Sequence, residues 1–279
     1  MKPATLKFVT AAAGTALLLA GAANAAVYAQ NFNGFADGTT NFGDGSLVAS
    51  NDGLASAQGG AFRIASDSIS GQTSVFKVPG LTGASLGWTA TFNITISDTL
   101  GENPPADGLS FSWGSIPFTT ALPPVDGASG FGAEHGWQLG SAGDHISFEV
   151  DTWMNGGTDN GLRIAGQVGG VHTHVAETPG IILNDGGSVS GLVTLSWSPT
   201  TGASMSTTGF VTNVNFTNVP VPGFTGSDAF VFAFASRTGN ADETVLIDNL
   251  NITSVPEPSN MLLAGATGLG LMAMRRRRR

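Results

Sequence analysis

Apolar and polar residues alternate along much of this chain with a period of two. In "TATFNITIS" the apolar Phe92, Ile94 and Ile96 are set against Thr91, Asn93 and Thr95. In "LVTLSWS" Val193, Leu195 and Trp197 are set against Thr194, Ser196 and Ser198. Successive side chains of a strand point to opposite faces, so each run predicts a strand with one buried face. "AFVFAFAS" is apolar on both faces, as a central strand is, and "VLIDNLNI" closes the body of the chain. Clusters of Gly, Asn, Ser and Thr separate the runs and mark turns. No 12-residue window combines a 3.6-residue period with helix caps. The pattern predicts an all-β sandwich of antiparallel strands over residues 26–253.

Both ends break the pattern. Lys2 and Lys7, the apolar run "FVTAAAGTALLLAGAA" and the small residues Ala23 to Ala25 have the three-part form of a secretory signal peptide, cut after Ala25. The run is short and rich in Ala and Gly, unlike a membrane-spanning helix. At the other end, residues 254–279 hold Pro256, Glu257 and Pro258, then the apolar "MLLAGATGLGLMAM", then five arginines. The apolar part falls short of the roughly 17–25 residues that span a bilayer, and the arginines mark its cytoplasmic side. The order resembles the PEP-CTERM sorting signal of Gram-negative bacteria. That resemblance implies signal peptidase and exosortase as partners in export, and a transient membrane association through the tail. Release at the cell surface or into extracellular matrix would follow. A plain C-terminal anchor would explain the arginines but not the Pro-Glu-Pro.

Between residues 26 and 259 the only basic residues are Arg63, Lys77, Arg163 and Arg237, against all 20 acids, a balance of −16. Such a surface repels phosphate backbones, which excludes nucleic acid as a partner, and it suits Ca²⁺. There is no Cys, so thiol catalysis, thiolate zinc sites and disulfides are all excluded. The 17 Phe and 5 Trp fall mostly in alternating runs, which argues for a packed core rather than a disordered Gly-rich matrix.

The densest chemistry is in "ISFEVDTWMN", residues 146–155. Glu149, Asp151 and Trp153 share one strand face, while Ile146, Phe148 and Val150 share the other. Two carboxylates about 7 Å apart on one face repel unless they are protonated, solvated or bridged by a cation. Asp151, a backbone carbonyl, Asn155 and Asp159 are hard oxygen donors of the kind Ca²⁺ takes.

The order of segments resembles the L-type, legume-like lectins. "ADGLSFSW" looks like that family's Ala-Asp-Gly strand, "FEVDTWMN" like its metal loop and "FAFASRTG" like its Gly-Phe-Ser-Ala-x-x-Gly strand end. The resemblance implies a concanavalin A-like jelly-roll sandwich of two antiparallel sheets that binds a glycan or exopolysaccharide. It implies calcium held by Asp151, Asp159, the Trp153 carbonyl and the Asn155 side-chain oxygen. Asp107 would accept hydrogen bonds from sugar hydroxyls and the Asn155 amide would donate. A backbone N–H would come from Gly136, with Gly132 a rival. The Trp153 ring would cover an apolar sugar face, with Asn240 and Asp242 as further contacts. Plant members add a transition metal on the strand Glu and a downstream His. Here Glu149 remains, but Gly161 stands at the His position, so calcium alone is expected. His145, His172 and His174 fall elsewhere, and the last two read as surface residues of a strand.

Glycosidases of the laminarinase type share this sandwich and carry Glu-x-Asp-x-x-Glu. Here the third position is Met154, which cannot carry the proton that retaining hydrolysis requires. No Gly-x-Ser-x-Gly elbow is present. The residues therefore point to binding rather than catalysis. A structural matrix domain that keeps the fold without the sugar site is the alternative.

Overall fold

The computed structural model describes residues 24–68, 70–98, 107–120, 122, 143–153, 160–179, 187–239 and 241–256. The strands among them are β1 (Val27–Gln30), β2 (Leu47–Ser50), β3 (Ser56–Gln58), β4 (Ala61–Ala65), β5 (Thr73–Val78), β6 (Trp88–Asp98), β7 (Gly108–Gly114) and β8 (His145–Asp151). They continue with β9 (Gly161–Val168), β10 (Val171–Pro179), β11 (Gly187–Ser198), β12 (Gly202–Thr208), β13 (Asn215–Val219), β14 (Val231–Arg237) and β15 (Thr244–Ser254). The helical structure among the described residues is one 3-10 turn, Ala84–Leu86.

The strands form two antiparallel sheets. One is ordered β13-β12-β11-β6-β15-β4-β3, with β1 also paired to β15. The other is ordered β10-β9-β8-β7-β14-β5-β2. The expected alternation is realised. On β6, Phe92, Ile94 and Ile96 are buried while Thr91, Asn93 and Thr95 are half-buried. The inner faces meet through aromatic rings, with Phe92 of β6 at 5.6 Å from Phe111 of β7 and 4.8 Å from Phe234 of β14. Trp113 and Trp197 close the far side of the core at 4.7 Å between centroids. Large apolar rings from both sheets make this interlayer the main source of stability, since each buried aromatic removes a large apolar area from water.

The seven-stranded sheet is buried on its outer face as well. Val75, Val231, Ala233 and Ala235 pack there against Ile116. This explains why β14 is apolar on both faces, as its sequence predicts. Lys77 of β5 lies under the same cover and donates to the carbonyl oxygens of Pro117 and Thr119 at 3.0 and 2.9 Å. Further along that face, toward the β10 edge, the outward residues of β8 and β9 are mostly polar and include Glu149, Asp151 and Arg163.

Candidate functional site

The polar region lies where β7, β8, β9 and β14 end or begin. Asp107 immediately precedes β7. Its N–H donates to the Arg237 carbonyl oxygen (3.1 Å), and its own carbonyl oxygen accepts from Thr152 N–H (3.2 Å). Gly108 follows at φ 118, and a Cβ there would run into the Val150 carbonyl of β8. The Asp-Gly pair is therefore a backbone requirement as well as a chemical one: only Gly lets β7 and β8 close beside Asp107. The Asp107 carboxylate sits against the backbone of Gly239, and Arg237 Nε lies 3.6 Å from its Oδ2.

Asp151 ends β8, buried rather than facing solvent. Its Oδ2 accepts from Arg163 Nη1 at 2.8 Å, and its Oδ1 accepts from Trp153 N–H at 3.1 Å. The register puts Gly161 opposite Asp151 and Arg163 opposite Glu149. With no side chain at Gly161, Arg163 reaches diagonally to Asp151. The two side chains are 3% and 1% exposed, so this is a fully buried pair.

Glu149, two residues earlier, is completely buried. His172 and His174 of β10 converge on it, with His172 Nε2 at 3.3 Å from Oε1 and His174 Nε2 at 3.4 Å from Oε2. His172 and His174 are half-buried and exposed residues of an edge strand, as expected; what the sequence did not show is that strand pairing turns both onto Glu149, the acid expected to have lost its partner. Gly161 shows why the histidine is absent from its own position. A Cβ there would meet the Thr178 carbonyl of β10, so no larger residue fits. His145, on the same face of β8, donates from Nδ1 to the Gly143 carbonyl oxygen at 3.0 Å. Burial pushes its pKa down to about 4.

Glu243, just before β15, was not singled out from sequence. It is fully buried, and its pKa is raised to about 8, first by burial and then by the charges of Asp107, Asp151 and Asp98, while the Thr152 hydroxyl acts the other way. Nothing local marks it, because the acids around it come from three other segments. Asp242 beside it is also buried, and Trp153 is half-buried. The structure thus brings Asp107, Asp151 and Glu243 together and sets Glu149 apart with its histidines. Gly132, Gly136, Met154, Asn155, Asp159, Asn240, Glu257 and Pro258, with the N-terminal segment, lie outside the described residues; Pro256 is described and exposed.

No family model and no curated protein matches the chain. Solved structures do. Peanut lectin, with a nine-residue peptide, aligns with a TM-score of 0.58 at 16% identity over 83% of this chain and 99% of its own. Basic winged bean lectin with Tn-antigen gives 0.59 at 15%, over 83% and 100%. The Bauhinia forficata lectin in complex with GalNAc gives 0.58 at 16%, over 83% and 99%. The fold is that of the legume lectins. At such identities the likeness concerns the fold alone. On the legume-lectin frame, the expected two-sheet jelly roll is present.

Proposed function

We propose that the protein is an exported, calcium-dependent, carbohydrate-binding lectin. The observation that carries this reading is the placement of Asp107: its carboxylate lies at the strand-end cluster, against the Gly239 backbone and beside buried Asp151 and Glu243, on a legume-lectin fold. Structures of that fold include complexes with GalNAc and Tn-antigen. In this reading Asp107 and Asn155 hydrogen-bond sugar hydroxyls, and the Trp153 ring covers an apolar sugar face. Gly136, Asn240 and Asp242 add contacts.

The chain's donors fit calcium. The charges of Asp107, Asp151 and Asp98 all act on Glu243, while Arg163 pairs with Asp151 and Arg237 with Asp107. The surplus is all-oxygen and negative, as a hard cation requires. Asp151, Asp159, the Trp153 carbonyl and Asn155 would hold the ion. Asp151 can serve while paired with Arg163, because a carboxylate has about four lone-pair positions.

The test is a glycan array with and without EDTA, on the wild type and on Asp107→Ala. The expected result is binding to a defined set of glycans that both EDTA and the substitution abolish. Binding that is absent, or insensitive to both changes, overturns the proposal. One observation favours a second reading, a non-catalytic matrix domain: Arg163 and Arg237 already engage the acids that would serve calcium and sugar. That reading predicts a lower Tm in EDTA with no glycan bound. A laminarinase-type hydrolase lacks its second acid at Met154, and the proposed function includes no catalysis.

A further inference from the structure

Glu149, His172 and His174 form a group that the sugar-binding reading leaves without a role. His172 and His174 lie two apart on β10, the edge strand, and hence on one face. His174 pairs with Ala165 of β9, and Glu149 lies on the next strand, β8. Ala165 ends at its Cβ, so the His174 ring passes over β9 to the carboxylate. The two imidazole planes stand at 86° with centroids 5.3 Å apart.

We propose that Glu149, His172 and His174 bind a transition-metal ion of the zinc class, with Glu177 as the positioning residue for His174. Tetrahedral zinc with bonds of roughly 2.0–2.2 Å has ligand-to-ligand edges of about 3.3 Å. The two Glu149-to-histidine separations are 3.3 and 3.4 Å, and all three ligand atoms lie within 4.8 Å of one another. Glu177 Oε2 lies 3.3 Å from His174 Nδ1. A carboxylate only accepts, so this contact puts the proton on Nδ1 and turns the Nε2 lone pair toward Glu149. Neither ring nitrogen of His172 has a hydrogen-bond partner among the described residues.

The donor set selects the ion. Two imidazoles and one carboxylate suit zinc, copper or nickel, whereas calcium takes oxygen ligands. His174 is partly exposed, which gives the ion a route in and leaves a coordination position open to water. The bound metal would tie edge strand β10 to β8 across β9. This site uses neither the calcium donors nor Asp107, so it stands independently of sugar binding.

The experiment uses the full-length, tag-free protein, stripped of metal with a chelator and titrated with Zn²⁺ by calorimetry and with Co²⁺ by visible absorption. One equivalent is expected to bind, with the intense d–d bands of a four-coordinate site. His172→Ala plus His174→Ala, which alters two partly exposed side chains, is expected to abolish binding while leaving the circular dichroism unchanged. Glu177→Gln is expected to weaken binding about 10–100-fold, the usual effect of removing a carboxylate behind a ligating His. Excess Ca²⁺ should leave the cobalt bands in place. The proposal is overturned if the wild type takes up no zinc, which would leave an acid–imidazole ion pair only. It is equally overturned if the folded double variant binds zinc as the wild type does, or if calcium displaces the cobalt.

Discussion

At Gly161 the closeness of the Thr178 carbonyl excludes any side chain, and this one position sets the chemistry of its neighbours. Arg163 reaches across the space to Asp151, and it is two histidines of the adjacent strand that approach Glu149. His145, also on the outer face of β8, carries a clear pH consequence. Its folded pKa of about 4 lies below the ordinary 6.5, chiefly through burial, with the Gly143 carbonyl acting against the shift. His172, Glu149 and Asp144 add smaller effects of mixed sign. The unfolded chain therefore binds the extra proton first. The stability this residue contributes is complete above about pH 6.5 and is lost as pH falls toward about 4, by on the order of 3 kcal/mol. His145→Gln should narrow the difference in Tm between pH 7.5 and pH 4.5, as measured by calorimetry at both values. A wild-type-sized difference in the variant would contradict the assignment. Of the residues in this region, Asp107, Glu149 and Asp151 stood out in the sequence because their motifs are local. Arg163, Glu243 and the role of the two histidines did not, because each acts on a residue that only strand pairing brings near.

The long strands were the most legible elements, since their apolar period of two reports directly which face is buried. β6 shows the contrast within adjacent residues: Ile94 is 1% exposed in the core, while Thr95 faces outward and shares a hydrogen bond with Ser190. Ile94→Ala should cost about 2–5 kcal/mol in urea unfolding, the range for emptying a packed core site. Thr95→Ala should stay within roughly 1 kcal/mol, the net worth of one exposed hydrogen bond. Comparable losses at the two positions would mean that the strand is not one-sided. Short strands such as β3 and β13 carry too few residues to show a period. β10 shows the opposite difficulty. Its sequence alternates poorly, because it is an edge strand with mostly partly exposed residues and a register shift between His174 and Ala176.

At the scale of the molecule, residues 25–256 form one compact unit, and the proposed export concerns the segments on either side of it. Intact-mass measurement of protein recovered from the producing cells should show residues 1–25 and the terminal arginines gone; a mass that retains the arginine run overturns exosortase processing. By itself the sequence determined that the body is β, which faces of the long strands are apolar, and that a cysteine-free core beneath an acidic surface would depend on aromatic packing. These properties are local or compositional, and they follow from side-chain alternation and charge. The tertiary structure alone decided which strands neighbour one another. It put Arg163 on Asp151, Glu243 among three other acids, and two histidines of an edge strand on Glu149. Those contacts depend on cross-strand register and on how closely backbones approach at glycines, and neither is written in the spacing of any one segment.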